Sequence, residues 1–187
     1  MRSTFAMLAL SMTVSAPVLA TEVVPLAAFK NIELRGGGEV VLVPGPTQRL
    51  TLIEGSSAIT QLRVDNRGRL TIDACNRRCP QHYRLRIEIQ SPRLPGVGVT
   101  GGGAIRASSG FGPQDQVAAG VNGGGKIDLR AVEGNNVAAG VNGGGEILVR
   151  ARNTLTAGVS GGGSVRFLGN PRVTSAVNGG GSVKPIS

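Results

Sequence analysis

The sequence predicts an all-β chain, a single-domain β-solenoid or parallel β-helix with coils of about 18–22 residues. Three observations predict it. Three consecutive glycines followed by a short apolar strand pattern occur six times: RGGGEVVLV from Arg35, TGGGAIRA from Thr100, NGGGKIDLR from Asn122, NGGGEILVR from Asn142, SGGGSVRFL from Ser160 and NGGGSVKPI from Asn178. The last of these triplets follow one another at 22, 20, 18 and 18 residues. Apolar residues alternate on both sides of the glycines, the period of a strand with one buried face, and no helical period accompanies them. A unit this short buries too little to offset the entropy of ordering it, so each coil must borrow its interior from its neighbours.

In chain order, residues 1–20 carry one cation, Arg2, an apolar stretch from Phe5 to Val14, and a small residue at Ala20 two after Val18. This is the pattern of a secretory signal peptide, with the mature chain starting at Thr21. The apolar stretch is too short to span a bilayer, and no later segment is long enough, so no transmembrane segment is expected after signal removal. Residues 21–187 then form one domain.

Residues 21–95 are expected to form wider, less regular coils. Ile32, Leu34, Val40 and Leu42 alternate around Gly36–Gly38 as a first coil, Pro44 and Gly45 turn the chain, and Arg49–Glu54 reads as a strand. Gln61–Val64 and Arg69–Asp73 flank a turn at Asp65–Gly68. Cys75 and Cys79 are the only cysteines and lie between strand-like runs at Arg69–Ala74 and Tyr83–Gln90. In an exported chain such a pair predicts a disulfide, here clamping a hairpin loop. A metal site on Cys75, Cys79 and His82 is the alternative, but it lacks a fourth ligand and oxidation removes its thiolates.

Residues 96–187 hold the regular repeats. Before each glycine triplet the inward set is Val117, Ala119 and Val121, then Val137, Ala139 and Val141, then Leu155, Ala157 and Val159, then Val173, Ser175 and Val177. After the triplets it is Ile127 and Leu129, Ile147 and Val149, Val165 and Phe167, and Val183. The triplets mark corners, where glycine supplies positive φ or close approach between layers. The preceding residues Asn122, Asn142, Ser160 and Asn178 are expected to tolerate a left-handed backbone and to bond along the ladder. Neither a phosphate-binding nor a calcium-binding glycine motif is present.

Outward positions before the corner are Ala118 and Gly120, Ala138 and Gly140, Thr156 and Gly158, Thr174 and Ala176, a flat strip almost without side chains. Tight coil geometry or cover by a neighbouring segment would explain it structurally; a docking surface is the functional reading. After the corner, stacking puts Lys126 beside Glu146 and Arg106 beside Asp128, while Arg130 and Arg150 stack as like charges. With Arg152, Arg166, Arg172 and Lys184 they form a basic stripe that either solubilises one face or binds an anion.

The formal charge of +9 favours anionic partners such as acidic glycans, lipid headgroups or an envelope protein. With aromatics at 3% and no Trp, the stacking platforms for single-stranded bases are missing, so specific nucleic-acid recognition is not expected. Carboxylates are sparse. Asp128 and Glu146 could pair as acid and base but have Arg106 and Lys126 beside them, and no serine lies in a nucleophile elbow. The expectation is a protein without catalytic residues, cofactor or metal, exported to the periplasm or surface of a bacterium.

The segment from Phe29 through Gly36–Gly38 to Pro44, with Asn66–Ile72 and the GVNGGG-type coils, resembles the putative auto-transporter adhesin head domain family, the head GIN domain. The resemblance covers nearly the whole of residues 21–187 and implies a β-helical exported domain with an adhesion role. It brings no functional residues with it. The chain leaves no room for a membrane β-barrel after Ser187, so self-export is not expected. Two classes of function follow: a non-enzymatic binding or adhesion module using the lateral faces, or an envelope protein that self-assembles through the flat strip. A glycan-active enzyme is the third.

Overall fold

The computed structural model describes residues 21–75 and 79–186. The signal-peptide reading of residues 1–20 lies outside them, as do Asn76, Arg77 and Arg78 in the cysteine loop. The chain is all-β, with 64% strand and no helix among the described residues, in one 15-stranded sheet that curls into an open half-barrel.

The strands are β1 (Glu22–Val24), β2 (Asn31–Arg35), β3 (Glu39–Pro44), β4 (Arg49–Glu54), β5 (Gln61–Val64), β6 (Arg69–Asp73), β7 (Arg86–Ser91), β8 (Gly96–Gly101) and β9 (Ala104–Ala107). The repeats supply β10 (Gln114–Gly123), β11 (Lys126–Gly143), β12 (Glu146–Ser160), β13 (Ser164–Leu168), β14 (Arg172–Asn178) and β15 (Ser182–Pro185). β4, β5 and β6 coincide with the runs expected from sequence.

Two ladders run through the sheet. The first passes β5, β6, β2, β8, β10, β11, β12, β14; the second passes β1, β4, β7, β3, β9, β11, β12, β13, β15. All pairs within the repeats are parallel, as are those of β2 and β3 with their neighbours. Antiparallel pairs occur at the N-terminal end, in β5–β6, β1–β4 and β4–β7. β11 and β12 belong to both ladders, so a repeat has one sharp corner, at the glycines, and a bend elsewhere.

The expected column of valines forms. Val99, Val121, Val141, Val159 and Val177 occupy one register position on five successive strands, with Leu34 and Ile72 extending it. Val121, Val141 and Val159 are each 3% exposed, while Ile127, Leu129, Ile147, Val149 and Val165 are fully buried. Val173 and Val177 depart from the expectation at 40% and 41% exposure, because among the described residues no further strand pairs with β14.

All three glycines of Gly36–Gly38 have positive φ, whereas in the later triplets the three positions differ. The first has positive φ, for example 122° at Gly123 and 116° at Gly143. The first and the third are both packed: a Cβ on Gly143 would lie 2.6 Å from the Gly123 carbonyl oxygen, and one on Gly145 2.6 Å from the Gly125 carbonyl oxygen. The second, as at Gly144, has nothing within 4 Å. No non-glycine residue among those described has positive φ, so the asparagines ahead of the triplets stay extended, contrary to expectation. Nor do their side-chain amides bond one another along the ladder, although exposed neighbours elsewhere in the sheet do, as Thr154 Oγ1 donates to Asn136 Oδ1 at 2.8 Å.

Candidate functional site

The flat strip lies on the first ladder. Gly98, Gly120, Gly140 and Gly158 stand side by side in register and end at Ala176. Beside them run Ala118, Ala138, Thr156 and Thr174. On the other side Thr100, Asn122, Asn142, Ser160 and Asn178 form a polar rim. Alternation turns every second residue outward, so these positions, Thr174 excepted, line a shallow groove of about 800 Å³ whose floor is largely peptide backbone. Spanning β2 to β14 in five strand separations of about 4.8 Å, it is about 24 Å long.

Neither structural explanation of the strip applies. Gly98, Gly120, Gly140 and Gly158 all lie outside the positive-φ set. A Cβ on Gly120, Gly140 or Gly158 would meet nothing within 4 Å, and on Gly98 would make only an ordinary contact at 3.7 Å. Among the described residues no segment covers Ala118, Ala138 or Gly140, which are exposed. Glycine inside a strand costs about 0.5–1 kcal/mol relative to alanine, so this floor is less stable than its geometry requires.

One end of the groove is charged. Glu33 on β2 sits beside Gly98 in register and accepts from Arg35 Nε at 3.0 Å and from Thr100 Oγ1 at 3.3 Å, with Arg69 Nη1 at 3.5 Å. The Arg35 hydrogen bond, against some desolvation, holds the Glu33 carboxyl below its ordinary value. Along the rest of the floor and rim the side chains are uncharged amides, hydroxyls and methyls. The sequence did not suggest this cluster, because residues 33 and 100 become neighbours only through the pairing of β2 with β8.

The basic stripe is dispersed. Arg166 and Lys184 are cross-strand neighbours, while Arg172 begins β14 on the other ladder. Arg130 is bound to Asp128 through Nε–Oδ1 at 2.9 Å and Nη2–Oδ2 at 2.6 Å. Arg152 reaches Glu133 at 3.6 Å and Arg166 reaches Glu146 at 3.9 Å. The expected stacking of Arg130 on Arg150 does not occur: Arg150 lies opposite Glu133 after a register shift between Asp128 and Glu133. Among the described residues, no carboxylate lies within 4.0 Å of Arg150, Arg172 or Lys184.

Lys126 faces Glu146 as expected, with Nζ–Oε2 at 2.7 Å. Arg106 stands opposite Asp128 in register but bonds Glu39 at 2.6 Å. Hydrogen bonding from Arg130 holds the Asp128 carboxyl below its ordinary value, which opposes a role as general acid. Cys75 and Cys79 are joined in a disulfide with Cα atoms 5.8 Å apart, leaving neither sulfur for the alternative metal site with His82. The disulfide does not clamp a hairpin, since β6 pairs with β2 and β5 whereas β7 pairs with β3 and β4. It closes a loop where the chain crosses between ladders.

Residues 109–171 match the family described as Putative auto-transporter adhesin, head GIN domain. No curated protein sequence matches the chain. Among solved structures, a putative adhesin from Bacteroides fragilis is similar with a TM-score of 0.50 at 20% identity, over 89% of this chain and 96% of that one. A putative adhesin from Parabacteroides merdae aligns at 16% identity with a TM-score of 0.40, over 90% and 96%. A putative cell adhesion protein from Clostridium sporogenes aligns at 11% identity with a TM-score of 0.40, over 89% and 99%. The first of these likenesses supports the fold.

Proposed function

We propose that this chain is a non-enzymatic, exported binding module of the adhesion type, and that the groove along the Gly/Ala strip is its binding surface. The family matched at residues 109–171 is named for adhesin heads, in keeping with that reading. The observation that carries it is the bare floor. Gly120, Gly140 and Gly158 weaken their strands where neither φ nor packing demands glycine, which is understandable if an occupant needs to lie against the backbone.

The reading takes the sheet as coils of a β-solenoid, each turn adding one strand to each parallel ladder. Rim amides and hydroxyls then recur at the strand spacing along an uncharged floor. That lining suits an uncharged stretch of an extended polymer whose own groups repeat, and we assign the sugar backbone of an envelope glycan as the occupant. Arg69 and Arg172 lie at opposite ends, outside the uncharged stretch.

Purified peptidoglycan and lipopolysaccharide are the probes. Gly140→Leu with Gly158→Leu inserts side chains into open space on the floor, so the variant should fold and bind at least about tenfold more weakly. Retention of full binding by that variant, or failure of the unmodified chain to bind either polymer, would contradict the proposal.

A further inference from the structure

β14 is the outermost strand of the first ladder, and all seven of its residues are exposed. Val173 and Val177 continue the columns of Leu155 and Val159, which are 0% and 3% exposed, so the apolar interior opens at this end. The second ladder ends differently. β15 carries Lys184 and closes on Pro185, which has no amide to donate, and both features blunt an edge against pairing. β14 has no such protection beyond Arg172 at its first position.

The backbone of β14 also has a defined polarity. The Asn178 carbonyl accepts from the Gly161 amide at 2.8 Å and is therefore turned toward β12. Strand alternation turns Thr174 and Ala176 the same way and leaves the N–H and C=O groups of Val173, Ser175 and Val177 facing the free edge. The strand is self-complementary about Ser175. Run antiparallel against a second copy of itself, it sets Val173 opposite Val177, Thr174 opposite Ala176 and Arg172 opposite Asn178.

In that register the outward amides and carbonyls fall into closely hydrogen-bonded pairs. A two-fold axis normal to the sheet keeps both inner faces on one side, so four valines close a common apolar column. The two Arg172 side chains lie at opposite ends of the pair and do not repel. The N-terminal end offers no equivalent parallel edge, being closed by the antiparallel strands β1 and β5. We propose that two copies of this chain join C-terminal end to C-terminal end through antiparallel β14 strands, an isologous contact independent of the groove.

Sedimentation of the chain across the micromolar range tests it. The unmodified chain should sediment as a dimer. Val173→Lys should weaken the dimer at least about tenfold, and Val173→Lys combined with Val177→Glu should restore it by setting lysine opposite glutamate. Ser175→Pro, which deletes one outward amide and leaves the bonds to β12, should also weaken it. A monomer at every concentration, or a dimer indifferent to both Val173→Lys and Ser175→Pro, overturns the proposal. Failure of the double variant to recover overturns the register about Ser175.

Discussion

Gly143, Gly144 and Gly145 read identically in sequence but are held by different constraints, and substitution should separate them. Gly145→Ala places a methyl group 2.5 Å from Val121 Cγ1 and 2.6 Å from a backbone oxygen of the preceding turn. Neither atom can retreat without moving the ladder. Urea denaturation should show a loss of about 1–3 kcal/mol for Gly145→Ala, whereas Gly144→Ala should be neutral or stabilising by up to about 1 kcal/mol. Equal losses at both would refute the assignment. The corner was legible in sequence because glycine triplets have few other uses. Its division of labour was not, since only the paired strand shows that the first and third glycines are crowded and the second is open.

At the scale of strands, alternation identified most buried apolar residues of β10 to β13, because a one-residue slip would expose the whole set. It missed Val132, Leu148 and Ala151, which lie near the register shifts or off the alternation. Charge partners were less legible. Triplet intervals of 20 and 18 residues mean that successive repeats differ in length, and the surplus is absorbed between Asp128 and Asn136, where the register shifts. Lys126 lies close to the corner and keeps its expected neighbour Glu146; Arg130 lies near the shift and loses Arg150. Local geometry then decides, and Arg130 turns back to Asp128 on its own strand.

These pairs set an acid response. The folded-state values of Glu33 and Asp128 are lowered below 4.5 and 3.8, chiefly by hydrogen bonds from Arg35 and Arg130. Their contribution is complete above those values and is lost as pH falls through the lower folded-state ones. Unfolding free energy should therefore be flat near neutrality and decline below about pH 4, by roughly 0.2–1 kcal/mol for each partly exposed pair. Glu33→Gln should reduce that decline in a denaturation series; an unchanged slope would show that the Glu33 cluster contributes nothing.

For the whole molecule, one arrangement explains the repeated sequence, the buried columns and the groove. Parallel pairing gives the inward valines of β10, β11 and β12 in the first ladder a neighbour on either side, and the same pairing aligns Gly98, Gly120, Gly140 and Gly158 on the outside. The strip was visible in sequence as a row of small residues. What sequence could not tell is whether close packing required them, and the open space around Gly120, Gly140 and Gly158 answers that. The N-terminal third was harder to read, because β4, β5 and β7 enter antiparallel pairs that no repeat announces.

The most direct test of the account needs no ligand. Replacing Gly120, Gly140 and Gly158 together by alanine should raise the unfolding free energy by about 1–3 kcal/mol, since each alanine gains strand stability in open space. A loss of stability in that triple variant would mean that the fold itself requires the glycines, and would contradict their assignment to binding.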